Sequence, residues 1–508
     1  MAFTGENDRR ERVTLLASVF LIALSGLAYE LLAGTLSAYL VGNTILQFSL
    51  AVGIFMSAMG AGSFLSQKVT SNLLDTFVLV EIGISALGGA SALILFLTYA
   101  YTTAYYVVLL GLLFSIGLGI GLELPILIRI IKDYGELRVT LANLLAWDYL
   151  GALGASLLFP MLILPHMGLM QSSFFFGLLN AAVVFGNLHV FGNRIRTRRP
   201  LFALASVVSA ALLVGLFYSF HLVGWIESRL YDDEIILTRQ TKYQRIVVTR
   251  WKTDLRLYLD GDLQFSSEDE YRYHEALVQP PMGLAGSPQR ILILGGGDGL
   301  AIRELLKYPK VKEIRLVDID PEMVRLCRED PLISRLNEGA LASPKVTHTP
   351  QDAFKFLERN DRIWDVILVD LPDPNNEALC KLYTKEFYSL ARHRLASNGA
   401  LCVQSTSPHF VPRTFWCIQH TVQAAGFFVK PFHVYVPSFG DWGFALAALH
   451  PYHPEKLAIR GGGRFLRSDL LGGLFSFGND MAEESTEINR LDHPILLQYY
   501  LSEWKRWD

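Results

Sequence analysis

Apolar and charged positions divide this chain of 508 residues into two unlike parts. Residues 13 to 222 are almost continuously apolar, whereas residues 223 to 508 hold most of the charge. A helix that crosses a bilayer needs about 20 apolar residues, and about seven segments meet that length. These predicted segments are residues 13–36, 43–66, 76–99, 104–131, 142–165, 170–191 and 200–222. The pattern therefore predicts a multi-pass α-helical membrane bundle over residues 13–222, placed in the cell (inner) membrane.

Four carboxylic acids interrupt the apolar segments: Glu30, Glu81, Glu123 and Asp148. No lysine or arginine lies near their depth in the predicted bundle. Carboxylates inside a membrane are costly and usually functional. Two interpretations stay open, namely an intramembrane cation site or path, and protonated acids that are hydrogen-bonded between helices or lie near a boundary.

Short strands, and then alternating strands and helices, are predicted for the second half. Residues 232–285 are expected to form a small β-hairpin domain, with Asp260-Gly261 as a turn. From residue 286 to 450, strands alternate with helices, which predicts a Rossmann-like, methyltransferase-type parallel sheet with helices on both faces. Residues 451–508 are expected to form a carboxyl-terminal tail whose helix packs by its aromatic residues.

A glycine run marks the expected ligand site. The run Ile291-Leu-Ile-Leu-Gly-Gly-Gly-Asp-Gly299 predicts a strand, a tight turn and the start of a helix, and its glycines let the backbone approach a ligand. Four acids follow successive predicted strands: Asp298, Asp318, Asp352 and Asp370. Ligands of such sheets bind at the carboxyl ends of the strands, so all four acids are expected to face one crevice.

Composition narrows the class of ligand. The formal net charge of -3 and the lack of a basic run interleaved with aromatic residues argue against a nucleic-acid partner. The four cysteines lack metal spacing and no HExxH cluster is present, so no metal site is expected. Carboxylates around a nucleoside-like ligand favour cationic substrates, whose ammonium groups they would hold. Asp370 is then placed to accept a proton from an amine, and Asp373 to hold that amine in line.

Six short motifs lie in order along the second half: Tyr243-Gln244, Leu259-Asp-Gly-x-x-Gln264, Asp269-Glu270-x-x-Tyr273-His274-Glu275, Gly295-Gly-Gly-Asp-Gly299, Val317-Asp-Ile-Asp320 and Asp370-x-x-Asp-Pro374. Together they resemble the polyamine aminopropyltransferases, of which spermidine synthase is the best-known member. The match extends over residues 232 to 450, with the motifs correctly spaced. The apolar first half resembles the membrane-bound bacterial branch of that family.

This resemblance implies transfer of an aminopropyl group from decarboxylated S-adenosylmethionine to a polyamine acceptor such as putrescine, giving spermidine and methylthioadenosine. The donor is a co-substrate, and no further cofactor is implied. By the same resemblance Asp370 is the general base, assisted by Tyr273. The donor-binding residues are Gln244, Gln264, His274, Asp298, Asp318, Asp352 and Ala353.

The acceptor side departs from the family pattern. Asp373 matches an anchor for the acceptor amine, while Asp318 stands where a glutamate is commoner. The family's acceptor-contacting tyrosine usually lies in a Tyr-Pro-Ser-Gly segment. Here Tyr435 lies one position early, and Trp442 and Asp441 are candidates to replace it. The identity of the acceptor amine is therefore left open.

Two alternative functions stay open on this fold. The first is an S-adenosylmethionine-dependent methyltransferase, because fold alone does not separate the two reactions. The second is a polyamine transporter or sensor with a ligand-binding soluble domain, which the acids within the apolar segments favour. The expected partners are small-molecule polyamine and nucleoside-sulfonium substrates and the lipid bilayer, and a homo-oligomer is left open.

Basic residues in the loops predict the membrane topology. They precede the first apolar segment and follow the second, fourth and sixth: Arg9, Arg10, Arg12, Lys68, Arg129, Lys132, Arg138, Arg194, Arg196, Arg198 and Arg199. Because basic loops stay in the cytoplasm, residues 1–12 are expected to form a cytoplasmic amino-terminal segment. Seven full crossings would then export the second half of the chain.

The second half is nevertheless expected to be cytoplasmic, because the family resemblance implies a charged donor that is made there. One apolar segment would then not fully cross the membrane. The candidate is the seventh segment, because the loss of an earlier crossing would place the arginine-rich loop of residues 194–199 outside. This segment is also less purely apolar, since it contains Ser206, Ser209, Ser219 and His221.

Overall fold

The computed structural model describes residues 6–42, 44–132, 137–231 and 233–507. By its internal contacts the chain forms two compact units, Met1–Asp232 and Asp233–Asp508. The predicted amino-terminal segment, residues 1–12, lies partly outside the described residues, and its later part already belongs to the first helix.

The first unit consists, over its described residues, of seven long helices. They are α1 (Glu6–Val41), α2 (Thr44–Leu65), α3 (Leu73–Tyr101), α4 (Tyr105–Ile131), α5 (Leu137–Leu158), α6 (Leu164–Val190) and α7 (Arg198–Leu230). In the described part of the chain, six helical stretches are long and apolar enough to cross a membrane, by length and composition. One of these six, Leu141–Val190, contains most of α5 and all of α6.

The stretch Leu141–Val190 is a helical hairpin. A π-helical turn at Phe159–Ile163 joins α5 to α6, and Gly168 interrupts the helix with a φ of 69°. α5 packs on α1 in the same direction, through Gly151 on Phe20 and Gly154 on Leu24. α6 packs on α1 in the opposite direction, through Phe176 on Tyr29 and Asn187 on Ser18. The 50 residues therefore pass through the unit twice.

α7 runs antiparallel to α6 along the same length of the unit. Three contacts record this: Phe202 on Phe185, Leu212 on Gly177 and Gly215 on Phe174. The expectation that the seventh segment is less purely apolar than the others is wrong, since its apolar window has a mean hydropathy of 2.3, equal to that of α4. Its serine hydroxyls donate to backbone carbonyls of the preceding turn, which hides their polarity: Ser206 to Phe202, Ser209 to Ala205 and Ser219 to Leu216.

The four acids of the apolar segments do not form one group. Glu81 on α3 and Glu123 on α4 are both fully enclosed, and their carboxyl groups lie against each other. Glu30 and Asp148 are only half-buried, and among the described residues no group of three or more histidines, cysteines and acids could hold a metal ion. The structure thus brings Glu81 and Glu123 together without Glu30 and Asp148, and the intramembrane cation site stays a prediction.

The second unit begins with a four-stranded antiparallel sheet. Its strands are β1 (Glu234–Gln240), β2 (Arg245–Trp251), β3 (Asp254–Leu259) and β4 (Asp262–Ser266), in that order across the sheet. The turn between β3 and β4 is formed by Asp260 and Gly261, both with positive φ, as the sequence predicts. This turn carries Asp262 at the start of β4.

A seven-stranded sheet forms the centre of the second unit. Its strands are β5 (Arg290–Gly295), β6 (Glu313–Val317), β7 (Val346–Thr349), β8 (Trp364–Asp370), β9 (Leu395–Gln404), β10 (Phe428–Val436) and β11 (Gly440–Ala448). The order across the sheet is β10-β11-β9-β8-β5-β6-β7. The strands β5 to β9 run parallel, whereas β11 pairs antiparallel with both of its neighbours, β9 and β10. The expected all-parallel sheet is corrected, because the short Val436–Gly440 connection only permits a hairpin.

Helices cover both faces of this sheet. They are α8 (Glu270–Leu284), α9 (Leu300–Leu306), α10 (Pro321–Glu329), α11 (Pro331–Leu336), α12 (Ala353–Arg359), α13 (Glu377–Cys380), α14 (Lys385–His393), α15 (Pro412–Ala424), α16 (Leu471–Leu474) and α17 (Ile495–Trp504). Alternate residues of β5 enter two separate cores, Ile291 and Ile293 on one face and Leu292 and Leu294 on the other. This arrangement leaves the carboxyl ends of the parallel strands as one open edge.

The carboxyl-terminal region, residues 451–508, is part of the same compact unit. Glu503 of α17 caps the start of α15, where its oxygens accept from the backbone amides of Arg413 and Thr414 at 2.9 and 3.0 Å. Asn489 donates to the carbonyl oxygens of Cys380 and Tyr383. These buried polar contacts fix α17 against α15 and the segment before it against the end of α13.

Candidate active site

The glycine run after β5 and the end of β8 lie side by side. Gly295 and Asp370 are register partners in the sheet. A Cβ at Gly295 would lie 2.0 Å from the carbonyl oxygen of Asp370, and one at Gly296 would lie 2.9 Å from Asp370 Oδ2. Both glycines also have positive φ, 85° and 68°. Glycine is therefore required at both positions, because the turn needs a positive φ and because a side chain would collide with Asp370.

Asp370 has one occupied and one open carboxylate oxygen. Tyr273 Oη on α8 donates to Oδ1 at 2.6 Å, while Oδ2 is buried and receives no hydrogen bond from the described residues. Burial and the nearby Asp298 carboxylate raise the pKa of Asp370 to about 6, against the opposing effects of His274 and Tyr273. Burial also raises the pKa of Tyr273 well above 10, so this phenol keeps its proton. The open Oδ2 is the atom able to accept a proton near neutral pH.

His274 is enclosed behind Tyr273 rather than open to the cleft. It is 2% exposed, and its Nδ1 lies 2.9 Å from Glu270 Oε2. Burial lowers the pKa of His274, but the Glu270 carboxylate outweighs it and raises that pKa to about 9. Arg303 completes the group with two hydrogen bonds to Glu270, at 2.8 and 2.9 Å. The predicted donor-binding role of His274 stays a prediction, and what the structure adds is a fixed positive charge near Asp370.

Asp298 and Asp318 lie at the glycine run itself. Asp298 Oδ1 accepts from the amide of Leu300 at 2.7 Å, which opens α9. A Cβ at Gly297 would lie 2.6 Å from Asp318 Oδ2, so Asp318 faces the glycine loop directly. Burial raises the pKa of Asp318 to about 7, with help from the charges of Asp320 and Asp298. A hydroxyl-bearing ligand at this position would supply the donors that a buried carboxylate needs.

Gln244 and Gln264 come from the small antiparallel sheet. Gln244 Nε2 donates to Asp320 Oδ2 at 3.0 Å, and Asp320 also caps α10 through the amide of Glu322. Gln264 Nε2 donates to the carbonyl oxygen of Asp262 at 3.2 Å. Both glutamines therefore have protein partners, and their predicted contacts with the donor are not tested by these bonds.

Asp352 and Ala353 lie at the start of α12, one strand farther along the same edge. Asp352 Oδ1 caps the helix through the amide of Lys355 at 3.0 Å, and its Oδ2 accepts from Lys381 Nζ at 2.6 Å. Burial raises the pKa of Asp352, but the hydrogen bond from Lys381 outweighs it and the net shift is downward. Ala353 is buried. Lys381 thus keeps Asp352 ionised.

Asp373, one turn after Asp370, is held from three directions. Its Oδ2 accepts from Thr406 Oγ1 at 3.0 Å and from Tyr500 Oη at 3.2 Å, and its Oδ1 accepts from Gln404 Nε2 at 3.4 Å. Burial raises the pKa of Asp373 to about 6, against these hydrogen bonds. Asp370 and Asp373 therefore both ionise just below neutral pH.

The two aromatic residues predicted on the acceptor side have different positions. Trp442 Nε1 donates to Gln404 Oε1 at 3.3 Å, so the indole belongs to the group around Asp373. Tyr435 is 59% exposed on β10, and its backbone carbonyl accepts from Arg272. The structure thus brings Trp442 toward Asp373 but does not bring the Tyr435 side chain there, because alternate residues of a strand face opposite sides.

Sequence reasoning did not identify several residues of this site: Asp262, Lys381, Gln404, Thr406 and Tyr500. Asp262 occupies an unspecified position of the Leu259–Gln264 motif, and the other four follow no local motif and reach the site by long-range packing. For Tyr500, an aromatic-rich helix near the end of the chain was the only signal. That signal indicates packing but not which acid the hydroxyl would contact.

The site at the carboxyl ends of the parallel strands is rich in carboxylates, and His274 and Lys381 are each bound to one acid. Asp298, Asp318 and Asp370 surround the glycine loop, and Asp373 lies beside them. Such an array suits a ligand with positive charge, whose ammonium or sulfonium groups would offset carboxylates that are costly to bury unpaired. The open oxygen of Asp370 provides a base at the same place.

Comparison with known proteins agrees with this geometry. A family model described as "Spermine/spermidine synthase domain" matches residues 270–456. A polyamine aminopropyltransferase of Leptospira interrogans is 44% identical over 97% of this chain and 99% of its own length. "Polyamine aminopropyltransferase 2" of Ralstonia nicotianae is 43% identical over 97% of this chain and 99% of its own. That of Oceanobacillus iheyensis is 40% identical over 99% of this chain and 100% of its own.

Among solved structures, the "Crystal Structure of Spermidine Synthase in Complex with Transition State Analogue AdoDATO" aligns with a TM-score of 0.45 and 22% identity. The alignment covers 48% of this chain and 86% of that one. The curated relatives, by contrast, match both halves of the chain at 40% identity or more. The chain therefore belongs to the polyamine aminopropyltransferase family.

Proposed function

We propose that this protein transfers the aminopropyl group of decarboxylated S-adenosylmethionine to an amine such as putrescine, forming spermidine and methylthioadenosine. One observation carries the proposal. One carboxylate oxygen of Asp370 accepts a hydrogen bond from Tyr273 at 2.6 Å. The other is buried next to Gly296 of the glycine loop and receives no hydrogen bond from the described residues. A base is thus located where a nucleoside-bearing donor would approach. A protein that only binds its ligand does not need a buried carboxylate oxygen that lacks a hydrogen-bond partner.

The proposed step is an in-line substitution. An alkylamine resembles lysine, with a pKa of about 10.4, so it arrives protonated and must lose a proton before it can attack. Asp370 Oδ2 accepts that proton, and Asp373 holds the amine. The nitrogen lone pair then forms a bond to the propyl carbon next to sulfur, while the carbon–sulfur bond breaks with its electrons moving to sulfur. Neutral methylthioadenosine leaves, and the cationic charge moves from sulfur to the new amine.

The donor would lie along the strand ends. In this proposal Asp318 accepts from the ribose hydroxyls, Asp352 and Ala353 contact the adenine, and Asp298 lies near the aminopropyl end. Gln244, Gln264 and His274 are assigned to the surroundings of the sulfonium and the aminopropyl group. No metal or redox cofactor is proposed, because a sulfonium is already an effective leaving group and the substitution changes no oxidation state of the protein.

The decisive experiment is a product assay on the purified full chain. Incubation with decarboxylated S-adenosylmethionine and putrescine should release methylthioadenosine and spermidine in equal amounts. Incubation with S-adenosylmethionine itself should release no S-adenosylhomocysteine. Release of S-adenosylhomocysteine with a methylated product would contradict the proposal and establish the methyltransferase alternative instead.

The helical unit is proposed to cross the cell membrane, with the catalytic unit on the cytoplasmic side. Six stretches of the described residues are long and apolar enough to cross, and the longest of them passes through the unit twice. The cytoplasmic assignment rests on the donor, which is a charged metabolite of that compartment. With α7 alongside α6, this assignment places the arginine-rich residues 194–199 outside, against the loop-charge prediction. Fractionation of membranes, followed by an alkaline carbonate wash, tests insertion.

A further inference from the structure

Two acids lie against each other in the interior of the helical unit. Glu81 on α3 is 0% exposed, Glu123 on α4 is 1% exposed, and their carboxyl groups are in contact. None of the four carboxyl oxygens receives a hydrogen bond from a nitrogen or hydroxyl donor of the described residues, and no basic side chain of these residues acts on either acid. Buried carboxylates are normally paired, so these two lack the usual partners.

A proton is the partner that this contact requires. Two ionised carboxylates side by side repel each other strongly where water is excluded, and here neither has a counter-charge. With at least one proton on the pair, the protonated acid donates a hydrogen bond to the other acid. A metal ion fits less well because it needs several further oxygen ligands. Among the described residues, no group of three or more histidines, cysteines and acids could hold one.

A third buried polar group faces the pair from α1. Tyr29 is 1% exposed, and its Oη has no hydrogen-bond partner among the described residues. Its ring is held by Gly88 of α3, where a Cβ would lie 2.4 Å from Cζ, and by Phe176 of α6, whose ring centroid is 6.3 Å away. The charges of Glu81 and Glu123 both act on this phenol. Three helices thus bring three polar groups to one buried position.

The pair lies near one end of the helical unit. Glu81 comes eight residues after the first residue of α3, and Glu123 comes eight residues before the last residue of α4. At about 1.5 Å per residue this depth is about 12 Å. Arg129 lies on α4 between Glu123 and that end, and its guanidinium donates to the carbonyl oxygens of Val69 and Ser66 at 2.6 and 2.8 Å. The shortest route along these helices from the acids to water therefore passes Arg129.

We propose that Glu81 and Glu123 form a proton-binding site inside the helical unit, which exchanges its proton with water at the end closed by Arg129. Tyr29 faces this site as a hydrogen-bonding group. The inference does not depend on aminopropyl transfer. On binding, a proton from water joins a carboxylate oxygen and removes one negative charge, and on release that charge returns. Because two charged carboxylates would push α3 and α4 apart, the packing of these helices responds to the proton concentration at that end.

Infrared spectroscopy of the full chain in lipid nanodiscs detects this proton directly. The spectrum at neutral pH should contain a carboxylic acid carbonyl band that shifts in D2O and is absent from the Glu81→Gln/Glu123→Gln double variant. Glu81→Gln alone should keep a band at a changed frequency, because Glu123 would then contact an amide. The matched control is Asp75→Asn on α3. Asp75 accepts hydrogen bonds from Arg196 and Thr197, and its removal should leave the band unchanged.

Two further pairs of variants test the surroundings of the site. Tyr29→Phe should change the frequency of the band, whereas Tyr105→Phe, which removes another buried hydroxyl without a hydrogen-bond partner among the described residues, should not. Arg129→Gln should accelerate the shift in D2O several-fold, whereas Lys132→Gln, at the same end of α4, should leave its rate unchanged. These measurements do not require the double variant to fold.

Several outcomes would overturn the proposal. A wild-type spectrum without a carboxylic acid band would show that both acids are ionised. Loss of the band when sodium ions are added at constant pH would make a metal ion the occupant. An unchanged frequency in Glu81→Gln would show that the two acids do not share the site, and an unchanged exchange rate in Arg129→Gln would refute the route past that residue.

Discussion

Tyr273 holds one oxygen of Asp370 at 2.6 Å and leaves the other open toward the glycine loop. The phenol keeps its proton because burial raises its pKa well above 10. Its hydrogen bond lowers the pKa of Asp370, against the larger effect of burial. Tyr273→Phe should therefore move the acid limb of the activity profile to higher pH by about one to two units, the equivalent of roughly 1.5–3 kcal/mol. An unshifted limb would show that Tyr273 does not act on the base.

Asp370→Asn should lower kcat by about 100-fold or more, the usual range for loss of a general base. Donor affinity should be retained, because the amide occupies the same space without accepting the proton. The matched control is Asp365→Asn on the same strand, since Asp365 contacts the start of β5 through the amides of Gln289 and Arg290 and the guanidinium of Arg290. Near-normal turnover of Asp370→Asn in the methylthioadenosine assay would remove Asp370 from the base role.

The pH dependence of the activity should reflect the ionisation of two acids. Burial raises the pKa of Asp370 and of Asp373 to about 6, so their ionised forms are present above that pH and are lost as the pH falls through it. Activity at saturating acceptor should therefore fall steeply below about pH 6, with a limiting slope that contains one proton from each acid. Asp373→Asn should reduce that slope by one relative to the wild-type chain. An identical slope in the variant would mean that Asp373 does not need to be ionised.

Asp318→Ala should weaken donor binding by more than 10-fold, because two ribose hydroxyls would lose a carboxylate acceptor worth roughly 1.5–3 kcal/mol for each hydrogen bond. The control is Glu313→Ala at the opposite end of the same strand, where Glu313 pairs with Arg362. Isothermal titration with decarboxylated S-adenosylmethionine gives the comparison directly. Unchanged affinity in Asp318→Ala would refute the ribose assignment.

Membrane topology can be tested with single cysteines. Because α7 packs antiparallel along α6, residues 194–199 and residue 231 should lie on opposite faces of the membrane. Labelling with an impermeant maleimide on intact cells, after replacement of the four native cysteines, should modify the loop near residue 196 and spare residue 231. Modification of residue 231 alone would place the catalytic unit outside, and protection of both would restore a seventh segment that does not cross.

Local patterns predicted the parts of the site that are fixed by neighbouring residues. The strand–glycine–helix unit at Gly295, the hairpin turn at Asp260 and the acids at the strand ends all depend on short-range rules for backbone conformation and sheet periodicity. The direction of β11 was missed, because periodicity does not reveal whether strands are parallel. The enclosure of His274 was missed for a similar reason. Its partner Glu270 is also bound by Arg303, which lies on another helix, and only tertiary packing brings that charge to Glu270.

The helical unit shows the same limit. The length of the apolar segments identified the helices. It could not show which of the four acids would meet, because hydropathy does not determine which helices are neighbours in a bundle. It also overstated the polarity of Ser206 and Ser209, whose hydroxyls bond within their own helix. A hydropathy scale counts a serine in the same way whether or not its hydroxyl has a partner.

The attachment of α17 to the cleft has a practical consequence for making this protein. The region that matches the family domain, residues 270–456, includes neither Tyr500 nor the small antiparallel sheet. An expressed fragment limited to that region would keep Asp370 yet lose the cap that Glu503 places on α15. Fragment boundaries chosen from the domain match alone would give material that understates the activity of the whole chain.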